Sequence, residues 1–282
     1  MKNLEEEVIN SNFIELDKIT GGWRKGELII IASRPNIGKT TLGVSMIKNI
    51  AIHNEIAVAF FSLGMRTDQL THCFLANISC LEMEKVVATD KGELADTELS
   101  LLNKAEKQLE NAPLFLDDTT SLSVFELRAK ARHLVREHNV KCIIIDYLQL
   151  MNAKGMNYSS REQEVGTISR SLRGLAYELN IPIIAFLQLT CSDSIENQSL
   201  ETNPDVKRPQ LSDLREFGAI EPDADVVCFI HRPECYGIYE DTEGNCLCGV
   251  VEIIVAKNRK GKTGDAKLKF CEKSVRFQNI KE

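Results

Sequence analysis

The chain has 282 residues, of which 43% are hydrophobic and 27% are charged, a composition typical of a soluble globular protein. Its formal net charge of −7 does not favour coating of duplex DNA by bulk electrostatics, so any nucleic-acid contact is expected from local patches or from basic loops concentrated by assembly. Strand-sized apolar runs, an N-terminus without a signal-peptide pattern and nine irregularly placed cysteines predict a cytoplasmic chain with reduced thiols and no membrane span.

Short apolar runs alternate with helical patterns along the chain, as expected for βαβ units around a mainly parallel sheet. Most of the runs are nearly unbroken Val, Ile, Leu and Phe, which is typical of central strands covered on both faces. Apolar residues at three- and four-residue spacing predict helices over 124–135 and 165–179. The predicted strands are 28–33, 57–62, 114–117, 142–146, 183–188, 226–231, 250–255 and 266–270.

The last three predicted strands follow a polar stretch that runs to about residue 206 and is predicted to be a loop. Gly244-Asn245 and 261–264 supply turn residues between them, so these strands are expected to extend the sheet in an antiparallel arrangement. The pattern predicts one α/β domain over 13–282, preceded by an extension over 1–12.

Residues 33–40 read Ser-Arg-Pro-Asn-Ile-Gly-Lys-Thr between an apolar strand and a helical pattern, the context of a Walker A phosphate-binding loop. Its backbone N–H groups would surround the β-phosphate of ATP, Lys39 would neutralise phosphate oxygens, and Thr40 would hold Mg²⁺. An ordinary strand–helix turn is the alternative, and the Gly-Lys-Thr sequence disfavours it. The predicted nucleotide-binding residues are Ser33, Arg34, Pro35, Asn36, Ile37, Gly38, Lys39, Thr40 and Thr41.

Two polar residues end later apolar strands of the predicted sheet. Asp146 ends the run 142–146 and would position Mg²⁺ beside the phosphate loop, although an Asp after a strand can also cap a helix. Gln188 ends the next strand and would sense the γ-phosphate from the crevice where open α/β sheets bind ligands. A buried structural amide would give the same sequence pattern at that position.

The sequence around these motifs resembles that of DnaB-type replicative DNA helicases. The run 32–40 resembles their A-x-R-P-x-x-G-K-T loop, and 145–151 (Ile-Asp-Tyr-Leu-Gln-Leu-Met) matches their second nucleotide motif almost letter for letter. The resemblance extends from about Phe13 to Asn279 and implies a RecA-like P-loop core, the motor domain of such a helicase. Further matches, in the order that the family uses, lie at 169–172, 208–216, 220–225 and 256–264.

The resemblance implies a ring of six subunits around single-stranded DNA, with ATP and Mg²⁺ held between neighbours, and with primase and a helicase loader as partners. The family's arginine finger and its companion lysine correspond to Arg259 and Lys257, which would reach the ATP of the neighbouring subunit. A solvated basic turn is the alternative for this segment. The family's DNA-contacting loop matches Arg215, Glu216 and Gly218, where Phe217 would either stack on a base or pack against a neighbouring subunit. The loop 152–160 is a second candidate DNA contact.

One departure from the family concerns the general base of hydrolysis. The family has Ser-Leu-Glu-Met where residues 62–65 are Ser-Leu-Gly-Met, so Gly64 replaces the glutamate that orients and deprotonates the attacking water. Asp68 lies about one helical turn further on. Loss of a positioned base costs about 10²–10⁴-fold in rate, so we expect ATP binding with weak hydrolysis unless another acid or the γ-phosphate compensates.

A second departure concerns the N-terminus, where the family carries a collar domain and a linker helix that docks on the neighbouring subunit. Residues 1–12 would be a linker remnant, with 5–9 as part of that helix, and hexamer formation is then expected to be weaker. A third feature is the set His231, Cys235, Cys246 and Cys248, whose spacing fits no common zinc module well and favours plain thiols over a metal site.

Three functions therefore remain open at this point. The first is an ATP-dependent DNA-unwinding motor. The second is a non-catalytic, ATP-gated ring or adaptor, for which Gly64 is the reason. The third is a small-molecule P-loop kinase, which has no use for a trans-acting Lys257 and Arg259 or for an Arg215 loop.

Overall fold

The structure is a computed structural model that describes residues 8–87, 94–153, 158–190, 208–217, 220–241 and 243–280. The strands of these ranges are β1 (Val8–Ile9), β2 (Trp23–Arg24), β3 (Leu28–Ser33), β4 (Val58–Ser62), β5 (Leu114–Asp117), β6 (Cys142–Asp146), β7 (Ile183–Gln188), β8 (Val226–His231), β9 (Val250–Asn258), β10 (Gly264–Cys271) and β11 (Arg276–Asn279). Their helices are α1 (Ile14–Thr20), α2 (Lys39–Ile47), α3 (Thr67–Ser79), α4 (Met83–Val87), α5 (Asp96–Glu110), α6 (Val124–His138), α7 (Arg161–Leu179) and α8 (Ile220–Asp223).

Nine of the strands form one sheet in the order β11-β10-β9-β8-β3-β7-β6-β4-β5. The strands from β8 to β5 in this order run parallel, and β9, β10 and β11 continue the sheet with antiparallel pairing. The predicted mainly parallel sheet with an antiparallel C-terminal extension is therefore confirmed. Strand β3 is buried at every position because helices cover both of its faces, whereas β9 alternates between buried and half-buried residues.

Helices cover both faces of the sheet and create two apolar layers. Leu28, Ile30 and Ala32 of β3 face the layer that includes α6 and α7, and Ile29 and Ile31 face the layer that includes α1, α2 and α3. This alternation follows from the two-residue period of a strand. In the part of the chain that the structure describes, no helix is long and apolar enough to cross a membrane.

The two helices predicted from apolar periodicity are present as α6 and α7. Helix α6 begins with a capping box, in which Ser123 Oγ accepts from the backbone N–H of Glu126 and the Glu126 carboxylate accepts from the backbone N–H of Ser123. It ends at Asn139 and α7 ends at Asn180, both in the left-handed conformation that asparagine tolerates. These signals fix where α6 begins and where both helices end.

The N-terminal segment differs from the prediction. Val8 and Ile9 form a strand that pairs antiparallel with Trp23–Arg24, so the predicted helix over 5–9 is wrong for these two residues. The carboxylate of Asp17 accepts hydrogen bonds from the backbone N–H groups of Ser11 and Asn12, which holds the segment against α1. Residues 1–7 lie outside the described ranges, as do residues 191–206 of the predicted loop. The boundary between 1–12 and 13–282 stays a prediction.

Candidate active site

The predicted phosphate loop lies at the carboxyl end of β3. Ser33 ends the strand, Lys39 begins α2, and Gly38 between them has φ 108°, which only glycine adopts without strain. A Cβ at Gly38 would also come within 3.2 Å of the Phe277 ring. Strand, loop and helix thus have the arrangement in which backbone N–H groups and a helix N-terminus bind phosphate.

Lys39 and Gln188 meet at this loop, as the sequence predicts. Strands β3 and β7 are neighbours with Ser33 opposite Gln188, and Lys39 Nζ donates to Gln188 Oε1 at 3.3 Å. Burial lowers the pKa of Lys39, and the charge of Asp146 opposes that shift. The Gln188 main chain is held by Gln149, whose Nε2 donates to its carbonyl at 2.5 Å and whose Oε1 accepts from its N–H at 3.1 Å. Gln149 was not predicted as a site residue, although it lies inside the 145–151 motif.

Thr40 and Asp146 also come together, because Asp146 ends β6 at the same edge of the sheet. Thr40 Oγ1 donates to Asp146 Oδ2 at 2.5 Å, while Asp146 Oδ1 is buried without a hydrogen-bond partner. Burial raises the pKa of the Asp146 carboxyl, against the opposing effects of Thr40 and Lys39. An unpaired carboxylate oxygen beside a hydroxyl is the oxygen donor set that Mg²⁺ prefers, so these residues fit the predicted metal ion.

Gly64 lies beside this group, just after β4. Ser62 is opposite Asp146 in the sheet, and the N–H of Leu63 donates to the Asp146 carbonyl at 2.7 Å. Asp68 points away from this group, because it lies in the first turn of α3 with a 62% exposed side chain that pairs with Arg66 at 3.6 Å. Neither Gly64, where the resemblance predicts the general base, nor Asp68 thus places a carboxylate beside Asp146.

Lys257 and Arg259 lie at the opposite edge of the sheet. Lys257 lies near the end of the antiparallel strand β9, opposite Val227 at the beginning of β8, and Arg259 directly follows that strand. Arg259 contacts Asp225, which bonds to Leu28 at the amino end of β3, whereas the phosphate loop leaves the carboxyl end. The six residues of β3 separate the two sites by about 17 Å, more than an arginine side chain spans. The structure does not bring these two predicted residues to their own subunit's phosphate loop.

Two of the three candidate DNA-contacting residues, Arg215 and Glu216, lie in the helical turn Leu211–Phe217. Arg215 is exposed there. Phe217 is 8% exposed and packs into the α6–α7 layer of its own subunit, so both roles predicted for it, base stacking and packing on a neighbour, are wrong. Gly218 and the side chain of Glu216 lie outside the described residues, as do residues 154–157 of the second candidate loop.

Near the phosphate loop, three aromatic and basic side chains form a stack that the sequence reasoning missed. The Arg34 guanidinium lies 5.4 Å from the centre of the Tyr236 ring, and this ring stacks on His231 at 5.4 Å and 18°. Arg34 is 7% exposed and His231 2%. Burial, with the charges of Arg208 and Arg34, lowers the pKa of His231 to about 4, so its ring is neutral at pH 7.

The four residues weighed as zinc ligands do not form a cluster of donors. Cys235, Cys246 and Cys248 are exposed thiols without disulfide bonds. Across the described ranges, no group of three or more His, Cys, Asp or Glu side chains could hold a metal ion. His231 instead stacks on Tyr236, as described above.

Comparison with known proteins identifies the family of this chain. The family model of the DnaB-like helicase C terminal domain matches residues 8–279. The replicative DNA helicase DnaB of Geobacillus stearothermophilus is 39% identical over 275 residues, and the replicative DNA helicase DnaC of Bacillus subtilis (strain 168) is 38% identical over the same length. Each alignment covers 96% of this chain and 56% of the relative, so the chain spans little more than half the length of these relatives.

Two solved structures are similar over 99% of this chain. One, described as an ATPase domain, has a TM-score of 0.87 at 29% identity, with 94% of its chain covered. The other, a DnaB-like replicative helicase described with its interactions with primase, has a TM-score of 0.86 at 30% identity, with 64% covered. The predicted RecA-like α/β fold is confirmed by these likenesses. The chain belongs to the family of DnaB-like helicase C-terminal domains.

Proposed function

We propose that this chain is the ATP-dependent motor domain of a replicative DNA helicase, which binds ATP and Mg²⁺ at the interfaces of a homo-oligomeric ring, a hexamer by family resemblance. The observation that carries the proposal is the separation of the site into two halves. Lys39, Thr40, Asp146 and Gln188 lie at one edge of the sheet, and Arg259 lies with Lys257 at the other. Only a second subunit, placed head to tail, would unite them.

In such an interface each residue has a distinct role. Lys39 and the amides of the phosphate loop bind the β- and γ-phosphates, and Gln188 contacts the γ-phosphate through the amide that now bonds Lys39. Mg²⁺, held by Thr40 and Asp146, would offset charge on the β- and γ-oxygens. Arg259 of the neighbouring subunit stabilises the negative charge that develops on the transferred phosphoryl group.

The weakest step in this scheme is activation of the attacking water. A glycine cannot accept a proton, and Asp68 faces solvent. Hydrolysis is therefore slow relative to a site that carries a carboxylate at position 64, by about 10²–10⁴-fold. The same residue favours the second candidate function, a ring or adaptor in which ATP binding assembles subunits without turnover.

Single-stranded DNA is the proposed substrate of the motor, bound by the loop of Arg215, Glu216 and Gly218, in which Arg215 and the main-chain amides near Gly218 would contact phosphates. Exposure of Arg215 at the end of a helical turn supports this assignment. Primase is a proposed partner because a structural neighbour is described with its interactions with primase, and a helicase loader is proposed by family resemblance. These roles belong to a whole helicase, and the related helicases are longer than this chain.

The direct test is ATP hydrolysis by the purified chain with and without single-stranded DNA, at two salt concentrations, beside ATP binding measured by calorimetry. DNA-stimulated turnover that falls as salt rises supports the motor, because phosphate contacts are lost at high salt. Tight ATP binding without turnover in either salt supports the ATP-gated ring. A Lys39→Ala variant is the control, since it is expected to retain the fold and to lose the charge that binds phosphate. Turnover that a small metabolite stimulates and DNA does not would overturn both.

A further inference from the structure

Arg259 lies beside Arg173 of α7 at the edge of the sheet opposite the phosphate loop. Both side chains contact the same two acceptors. Arg259 Nη1 lies 3.5 Å and Arg173 Nη2 lies 3.7 Å from the same oxygen, Asp225 Oδ1. Both guanidinium groups also donate to the carbonyl of Pro222, Arg173 at 3.5 Å. The other oxygen, Asp225 Oδ2, accepts from the backbone N–H of Leu28 at 3.0 Å, so the carboxylate is fixed to β3.

The surroundings hold more positive charge than this carboxylate neutralises. Lys257 adds to that excess, because it is itself a cation, and it donates to the carbonyls of Glu221 at 2.5 Å and Ala224 at 2.8 Å. These carbonyls lie at the end of α8, where a helix leaves acceptors without internal partners. Burial, and next the charge of Arg259, lowers the pKa of Lys257. Three cations thus face the fixed carboxylate of Asp225, the charge of Glu221, which acts on Lys257, and a few carbonyl oxygens.

Two guanidinium groups on one carboxylate oxygen weaken each other's attachment. Each is attracted to Asp225 and repelled by the other, so the departure of one strengthens the pairing of the other. Arg173 and Arg259 are both 38% exposed, which leaves room for one of them to leave. If Arg173 were absent, Asp225 would pair with Arg259 alone, and moving Arg259 away would leave a largely buried carboxylate, 13% exposed, without a guanidinium partner.

We propose that Arg173 is a positioning residue for the arginine finger: it shares Asp225 with Arg259 and neutralises this carboxylate when Arg259 turns to the nucleotide of the neighbouring subunit. Asp225 is then the storage site of the finger, and Arg173 lowers the cost of leaving it. This inference rests on the proposed trans role of Arg259. It adds a residue on α7 that none of the nucleotide motifs contains.

The test is a double-mutant cycle between Arg173→Ala and Asp225→Asn, with steady-state ATP hydrolysis as the measurement. Arg173→Ala is expected to lower kcat about five-fold, the size of a partly exposed ion pair, with the KM for ATP unchanged. Asp225→Asn keeps an oxygen for the N–H of Leu28 and removes the charge that retains Arg259. The double variant is therefore expected to recover most of the lost kcat, an interaction that a merely structural role of Arg173 would not produce.

Arg173→Lys is expected to keep kcat near the original value, because it restores the positive charge beside Asp225. Arg136→Ala, which removes a 78% exposed guanidinium from α6, is the matched control. All variants are measured alone and with Gly64→Glu, so that slow turnover does not hide the effect. The inference is overturned, and the proposed function stands, if Arg259→Ala lowers kcat while Arg173→Ala does not. The same holds if Asp225→Asn fails to restore the kcat that Arg173→Ala lowers. If Arg259→Ala has no effect, or turnover is absent in both backgrounds, the trans role and the inference fail together.

Discussion

The central sheet has a carboxyl edge, where its parallel strands end, and an amino edge, where they begin. These two edges hold their cations in different ways. At the carboxyl edge, Lys39 donates to the neutral amide of Gln188, and Arg34 lies over the ring of Tyr236. At the amino edge, Arg259 lies against a carboxylate and a main-chain carbonyl of its own subunit. We infer that the first edge keeps positive charge available for phosphate, whereas the second keeps its charge stored. The proposed ring would pair unlike edges and use this difference, because a stored cation becomes useful only when another subunit presents a nucleotide.

Removal of Arg259, the stored cation, is expected to have the largest effect among the tests of this difference between the two edges. Arg259→Ala is expected to lower kcat about 10³-fold or more, as loss of an arginine finger does, while ATP binding to the isolated chain is retained. Single-turnover hydrolysis beside calorimetric ATP binding measures the two effects separately. Lys262→Ala, an exposed residue of the same turn, is the control. Equal, small effects of both changes would instead favour a solvated basic turn.

Restoring the carboxylate at the carboxyl edge is expected to have the next largest effect. Gly64→Glu is expected to raise turnover about 10²-fold or more, because it returns a general base beside the phosphate loop. A Cβ at Gly64 would meet the tip of Leu150 at 3.2 Å and the Tyr147 ring at 3.5 Å, contacts that small side-chain shifts relieve. Gly64→Gln has nearly the same shape and no basic group, so it should stay slow. An unchanged rate in Gly64→Glu, with ATP bound, would show that the missing base is not the limiting defect.

Sequence reasoning succeeds at the carboxyl edge for a physical reason. Parallel strands end at one edge, so Ser33, Asp146 and Gln188, each the last residue of an apolar run, had to meet there. The pairing of Arg173 with Asp225 could not be predicted in this way, because it joins a helix to the start of a strand 52 positions later in the chain. Phe217 was mispredicted because an apolar residue in a polar loop motif gives no sign of which side of the turn it faces.

The ends of the C-terminal strands also differ from the prediction, because they lie in polar residues. Strand β9 continues to Asn258 and β10 begins at Gly264, beyond the predicted limits of 255 and 266. Main-chain pairing extends these strands past their apolar residues, into the polar segment that carries Lys257. Strand β11 was missed because Arg276–Asn279 contains one apolar residue, Phe277, which packs beside the phosphate loop.

The third prediction concerns the stack of Arg34, Tyr236 and His231 near the phosphate loop and is tested by the pH dependence of stability. Unfolded His231 takes up a proton near pH 6.5, whereas folded His231 does so only near pH 4, so the stability that it contributes is present above pH 6.5 and is lost as pH falls towards 4. The loss amounts to about 3 kcal/mol at most. Urea unfolding at several pH values measures it against His231→Phe, which retains a ring on Tyr236 and cannot titrate. Parallel curves for the two proteins would contradict a neutral, buried His231.

The smallest expected effect belongs to the DNA contact, which tests whether the exposed Arg215 binds phosphate. Unlike Arg34 at the phosphate loop, Arg215 is exposed to solvent, so its contact with DNA is screened by salt. Arg215→Ala is expected to weaken binding of single-stranded DNA by a few-fold for every sequence alike, and to reduce the slope of log affinity against log salt by about 0.7. Fluorescence anisotropy with two unrelated oligonucleotides, in the presence of ATP, measures both quantities. Arg66→Ala, which removes an 81% exposed guanidinium beside α3, is the control. A loss of affinity without a change in slope would mean that Arg215 supports the fold of its turn, and the DNA contact would then have to come from other basic residues.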